Sequence, residues 1–152
     1  MKNNTLISLS LTFAAAMLMT GCHEEKKAAG DVMFAFSGYI MHQDAHETNA
    51  AAIGSWSAIG FNADSRIKEI NASTNYSEFF EIREVATNGL KGIAVASKVE
   101  ISGCPTESIW GIAAKTKPEG YGVRYECVVE PSDASKAAEC EKVFPNLKEL
   151  CK

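Results

Sequence analysis

The apolar positions of this chain change their spacing once, from a helical repeat to the alternation of strands. From Asp31 to about Glu47 they recur at intervals of three and four residues, with Met33, Phe36 and Ile40 on one face. This spacing predicts a helix, which Asp31 can cap by accepting a hydrogen bond from a free amide of the first turn. The helix is apolar nearly all round at its start, which indicates packing on more than one side.

From about residue 78 apolar and polar residues alternate, as they do in half-buried strands. Four such segments follow, with the sequences FFEIREVA, IAVASKVEI, SIWGIAAK and YGVRYECVV. Short turns join them, and the first turn contains Asn88-Gly89, a pair that accepts the positive φ angles of a tight hairpin. Consecutive strands with short connections predict an antiparallel meander, one face of which is free to pack on the helix.

A short helical tail follows the last strand, with Ser132 or Asp133 as its cap and Pro145 as its end. The predicted fold class is therefore α+β. It consists of an N-terminal helix packed on a four-stranded antiparallel meander sheet, with a short helical C-terminus stapled by disulfides.

Residues 1–21 have the features of a bacterial export signal. Lys2 gives a positive start, and residues 6–18 form an apolar run too short for a permanent membrane span. The sequence LMTGC (18–22) then resembles a lipobox, in which the cysteine is acylated and becomes the first residue of the mature protein. The resemblance implies that Cys22 is lipidated. The alternative is an ordinary secretory signal cut nearby, which would leave Cys22 as a free thiol.

The export signal divides the chain into three parts. We predict a lipoprotein signal peptide at residues 1–21, a lipidated cysteine with a polar tether at 22–30, and a single domain at 31–152. The residue after Cys22 is His23 and not Asp. By resemblance to lipoprotein sorting signals, this indicates the outer membrane. The predicted location is therefore the bacterial cell envelope, with the protein anchored by lipid at the outer membrane.

Four cysteines follow the export signal and its Cys22, and an even number in an exported chain indicates disulfides. They are Cys104, Cys127, Cys140 and Cys151. Four cysteines allow three pairings, and we predict Cys104–Cys127 with Cys140–Cys151 because each pair closes a modest loop. The spacings include no close C-x-x-C pair, so a zinc site is the weaker alternative.

Charge and motifs narrow the possible functions. The net charge is −4 and no basic block occurs, which excludes nucleic acid as a partner because phosphate binding needs clustered Lys and Arg. The chain contains no Gly-x-Ser-x-Gly elbow and no phosphate-cradling glycine loop. We therefore predict that the protein is not an enzyme and needs no cofactor.

Two histidines lie four residues apart near the end of the predicted helix. His42 and His46 share one side of it, and imidazoles at this spacing can chelate a divalent ion, with Asp44 or Glu47 as possible further ligands. The alternative is a pair of solvated histidines on the outward side of the helix, because a site with two histidine ligands alone would bind weakly.

The order of helix, joint, strands and tail resembles the globular head of type IV pilins and pseudopilins. The resemblance covers about Val32–Cys151. It rests on Tyr39 and Gln43 of the helix, the joint SWSAIGF (55–61), the sequences GCP, SIW and RYEC, and the cysteine-bounded tail. It implies a rigid, exposed recognition surface. Pilins polymerise through a long apolar helix released at a Gly-Phe-Thr-type site, with a Glu near its start. Here a lipobox takes that place, so the resemblance does not extend to polymerisation.

The loop 62–77, with the sequence NADSRIKEINASTNYS, is long and polar for a compact domain, and long ordered loops are often functional. We therefore predict a contact surface in this loop and at the neighbouring tryptophan of the joint. It comprises Trp56, Asn62, Asp64, Arg66, Asn75 and Tyr76. The alternatives are a variable loop without a partner and a tryptophan that packs the helix end on the sheet.

Together these patterns predict a non-enzymatic envelope lipoprotein whose pilin-like head acts in protein–protein recognition, surface assembly or adhesion. Its predicted partners are the membrane, through the N-terminal lipid, and a protein in the envelope or at the cell surface. The alternative is a periplasmic lipoprotein that binds a small ligand or a divalent metal through His42 and His46.

Overall fold

The structure is a computed structural model that describes residues 5–63, 68, 78–87 and 90–151, with the backbone alone at 5–22, 63, 85–87 and 90. The main helices and strands that can be traced in these residues are a long helix at the start, four strands and a short helix near the end. They are α1 (Thr5–Ala50), β1 (Phe80–Thr87), β2 (Leu90–Ser97), β3 (Ile109–Thr116), β4 (Val123–Glu130) and α2 (Ala137–Val143). Three short 3₁₀ turns lie at Phe61–Ala63, Ala134–Lys136 and Leu147–Leu150. The predicted α+β class is confirmed.

The sheet is the predicted meander, with the strands in the order β1-β2-β3-β4 and every neighbouring pair antiparallel. The predicted Asn88-Gly89 turn lies outside the described residues. The second strand is shorter than predicted, because β2 ends at Ser97 and the chain turns back on itself at Ile101. Ile101 pairs with Cys104 across a turn in which Ser102 and Gly103 have positive φ.

The core lies between one face of the sheet and one side of α1. Its largest fully buried apolar side chains are Val32, Phe36 and Tyr39 from α1, Phe61 after it, Phe80, Ile93 and Val95 from β1 and β2, Trp110 and Ile112 from β3, and Leu147 from the tail. Phe144 joins them from the tail, with its ring centroid 5.2 Å from that of Trp110. Burying each such side chain contributes roughly 1.5–3 kcal/mol to stability, as an upper estimate.

Helix α1 begins earlier than predicted. It is continuous through Asp31, so this residue is not its cap, and residues 23–30 are helical where a tether was predicted. Ala28 is fully buried and belongs to the core cluster, so packing begins before residue 31. The reason is local, because the sequence HEEKKAAG is rich in strong helix formers, and its glycine costs only about 1 kcal/mol within a helix. None of the helices in the described part of the chain combines the length and apolar character that a membrane crossing needs.

The predicted cysteine pairing is wrong. Cys104 is bonded to Cys140 with their Cα atoms 4.7 Å apart, and Cys127 to Cys151 with Cα atoms 5.6 Å apart. The prediction from loop size failed because the tail folds back over the sheet. There the Trp110 indole N–H donates to the carbonyl of Cys140 at 2.9 Å. The tail is thus stapled to the sheet and its turns, and not to itself. Each bridge contributes about 2–4 kcal/mol.

Disulfide mapping tests this pairing. Trypsin can cut between each pair of neighbouring cysteines, so non-reducing peptide mass spectrometry should recover Cys104 joined to Cys140 and Cys127 joined to Cys151. Under graded reductant the second bridge should open first, because its two cysteines are half-buried and those of the first are fully buried. A peptide that joins Cys104 to Cys127, or a first bridge that opens earlier, would contradict the structure.

Candidate functional site at the joint between helix and sheet

We now take the joint as residues 42–61, that is, the last turns of α1 together with SWSAIGF (55–61) and the residues between them. One buried amide organises it. Gln43 is fully buried on α1, and its Oε1 accepts a hydrogen bond from the Gly54 N–H at 3.0 Å. Its Nε2 donates to the Gly54 carbonyl at 3.1 Å and to the Tyr39 hydroxyl at 3.0 Å. The side chain therefore pairs with both backbone groups of Gly54. This pairing fixes the path of the chain just after α1 ends.

Two carboxylates of the last turns of α1 accept hydrogen bonds from the start of β4 and the turn before it. The Tyr125 hydroxyl donates to Asp44 Oδ1 at 2.6 Å, and the Gly122 N–H donates to Glu47 Oε1 at 2.7 Å. Burial, reinforced by the Asp44 carboxylate, raises the pKa of Tyr125 well above its usual range. Burial also raises the pKa of Tyr39 to about 12. Both phenols thus stay protonated and act as hydrogen-bond donors or acceptors within the core.

The predicted outward, solvated histidines are instead half-buried within the joint. His42 Nδ1 lies 3.0 Å from the Ile59 carbonyl, and its ring meets that of Phe61 edge-on at 5.9 Å. His46 lies over Gly54, where a Cβ would sit 2.9 Å from its Cδ2. Among the residues that the structure describes, no group of three or more His, Cys, Asp or Glu could hold a metal ion. The metal-binding alternative at His42 and His46 stays a prediction.

Trp56, one of the predicted contact residues, connects the joint to the sheet. Its indole N–H donates to the Gly92 carbonyl at 3.0 Å, and its backbone N–H donates to Glu84 Oε1 at 2.6 Å. Its ring packs against Phe61 at 5.0 Å. These contacts favour the packing role for Trp56 over an aromatic binding platform.

Of the other residues predicted for the contact surface, only one lies within the described part of the chain. Asn62 is exposed beside the joint. Asp64, Arg66, Asn75 and Tyr76 lie outside the described residues, so the contact surface of the loop 62–77 stays a prediction.

The role of Gln43 was not predicted, although its position in the sequence carries a signal for it. Gln43 follows Tyr39 by four residues and Phe36 by seven, so it stands on the apolar side of α1. A polar side chain on a core face needs hydrogen-bond partners, because leaving a buried polar group unpaired costs about 1–3 kcal/mol. The joint therefore acts as a structural clamp, whose polar side chains are directed mainly at backbone groups.

Replacing the clamp amide tests this role. Gln43→Leu keeps the size of the side chain and leaves the Gly54 backbone groups and the Tyr39 hydroxyl without their partner, so the free energy of unfolding should fall by about 2–4 kcal/mol. Urea denaturation measures it. Asn49→Ala is the matched control, because Asn49 is exposed and its amide donates to the Ala45 carbonyl of its own helix. A loss below about 1 kcal/mol for Gln43→Leu would show that the clamp is dispensable.

A pair of glycine variants tests the packing of the joint. A Cβ at Gly54 would lie 2.5 Å from Ile59 Cγ2, so Gly54→Ala should lower the free energy of unfolding by roughly 1–3 kcal/mol. A Cβ at Gly30, within α1, would meet nothing within 4 Å. Gly30→Ala should therefore raise stability by roughly 0.5–1 kcal/mol through helix propensity. Thermal and urea unfolding measure both variants, and a neutral Gly54→Ala would contradict the close packing.

Comparison with protein-family models, curated proteins and solved structures finds no significant match to this chain. The resemblance to pilin heads therefore rests on the residues and the order of elements alone. That order is a long helix, a joint, a four-stranded meander and a cysteine-bound tail. The resemblance stays a prediction.

Proposed function

We propose that this chain is an exported envelope lipoprotein, acylated at Cys22, whose disulfide-stabilised head recognises a protein partner and does no catalysis. One observation carries the export: the four cysteines after Cys22 pair with one another in two disulfides. Such bonds form and persist in oxidising compartments. The remaining cysteine, Cys22, lies in the lipobox-like sequence LMTGC, and the proposed anchoring rests on that sequence.

The path of α1 supports a rigid attachment of the head. The helix is continuous from before residue 22 to Ala50, and its second half packs on the sheet. A head that follows an acylated Cys22 would therefore stand on the membrane without a flexible linker. Stable anchoring needs more than one acyl chain, because a single chain gives only reversible binding.

The recognition role draws support from the architecture and from the resemblance together. A long helix on a four-stranded meander, closed by a cysteine-bound tail, is the arrangement that the pilin-like resemblance implies. The lipobox in place of a pilin cleavage site favours a single anchored head over a filament subunit. The polar groups of the joint are directed at the fold itself, so a partner would contact the exposed loops.

Metabolic labelling tests the anchor. A Gram-negative host that expresses the full chain and is fed an alkyne-bearing palmitate should label the wild type and place it in the membrane fraction. Cys22→Ala should carry no label, because it lacks the thiol that is acylated, and an inhibitor of the lipoprotein signal peptidase should cause uncleaved precursor to accumulate. Unlabelled, soluble wild type, or label retained on Cys22→Ala, would disprove acylation at Cys22.

A further inference from the structure

The turn between β3 and β4 exposes an aromatic side chain. We call residues 117–122 the distal loop. Its residues from Lys117 to Tyr121 are all exposed, and Tyr121 is 80 % exposed, against 43 % for Phe34 and 53 % for Met41. An aromatic ring left so fully in water contributes little to the stability of the fold.

The distal loop is ordered by its own backbone. The Gly120 N–H donates to the Lys117 carbonyl at 2.9 Å, and the Lys117 N–H donates to the Gly122 carbonyl at 3.2 Å. Gly120 and Gly122, on either side of Tyr121, have φ angles of 85° and 79°. Glycine adopts such angles without the steric cost that other residues incur. The loop therefore holds Tyr121 in one backbone conformation before any partner arrives.

The distal loop is also fixed to α1. Glu47 accepts a hydrogen bond from the Gly122 N–H. Asp44 accepts one from the hydroxyl of Tyr125, which lies just beyond the loop on β4. Glu47 stands 25 residues after Cys22 on one continuous helix, a distance of about 38 Å at 1.5 Å per residue. The loop thus lies at the end of α1 that is far from the proposed anchor.

From these observations we infer that Tyr121 docks the head into a pocket on a protein partner of the envelope. The inference rests on the proposed function and names the surface that carries it. A single projecting ring fits a concave protein pocket, and tyrosines in such pockets often dominate interface energetics. Because the backbone is already ordered, docking loses less conformational entropy than a flexible loop would. Lys117 and Glu119 bring one charge of each sign to the rim of the contact.

Site-specific photocrosslinking tests the docking residue. The full-length protein, made in the cells that naturally express it, carries p-benzoylphenylalanine in place of Glu119. Irradiation should give discrete protein adducts, and Tyr121→Ala should reduce them about tenfold or more, as expected for an interfacial hot spot. Tyr121→Phe should retain most of them, because it keeps the ring. Gly120→Ala should reduce them as well, because it leaves Tyr121 in place but disfavours the positive φ.

A second crosslinker position and two readouts give the controls. The crosslinker at Lys148, whose side chain is 68 % exposed on the tail, should give a different pattern that Tyr121→Ala leaves unchanged. Melting of Tyr121→Ala should match the wild type, because the side chain makes few contacts.

Several results would overturn the inference. They are the absence of discrete adducts at position 119, adducts there that do not depend on Tyr121, and the same bands from position 148. A heterogeneous ladder of adduct bands that disappears on muramidase digestion would identify a glycan as the partner. It would overturn the assignment to a protein. Palmitate labelling in the same cells separates the two proposals. If the label persists without Tyr121-dependent adducts, only the docking inference fails; if the label is absent, the proposed anchor fails.

Discussion

The pairing of the Gln43 amide with the backbone of Gly54 is the contact on which the rest of the structure depends. It holds the chain against α1 at the point where the helix has just ended, and so decides where the joint runs. From there Trp56 reaches the carbonyl of Gly92 on β2 and the carboxylate of Glu84 on β1. Each of these hydrogen bonds adds only about 1 kcal/mol to the stability of the fold, but leaving a buried amide unpaired would cost more than that. Arrangements of the helix and the sheet that break the pairing are therefore disfavoured.

A second set of contacts holds the C-terminal tail on β3 and α1. The Trp110 indole donates to the carbonyl of Cys140, and the ring of Phe144 packs between those of Trp110 and Phe36. The tail alone is too short to fold, since its helix has only seven residues. It is ordered because aromatic packing and two covalent bridges hold it on the sheet. Helix, sheet and tail therefore share one core and stabilise one another.

The repeats of the sequence predicted the helix and the meander because both patterns are local. In the segment SIWGIAAK the alternation puts Trp110 and Ile112 on the same face, and both are buried. Two kinds of feature were missed. The early start of α1 has a local signal in the helix formers of residues 23–30, but these residues were taken as a tether. The environment of His42, in contrast, depends on a distant contact with Ile59, seventeen residues away. Cysteine pairing failed for the same reason, because loop length carries no information on how the tail crosses the sheet.

The interleaved connectivity of the cysteines has a consequence for biosynthesis. A chain that emerges N-terminus first exposes Cys104, and the next cysteine to appear is Cys127, which is not its native partner. The native partner, Cys140, follows only after β4 and the first three residues of α2 have emerged, and Cys151 comes last of the four. A bridge made in order of appearance is therefore the wrong one, and thiol–disulfide exchange must undo it. Maturation of this chain should depend on an oxidoreductase that reshuffles disulfide bonds, and not only on one that makes them.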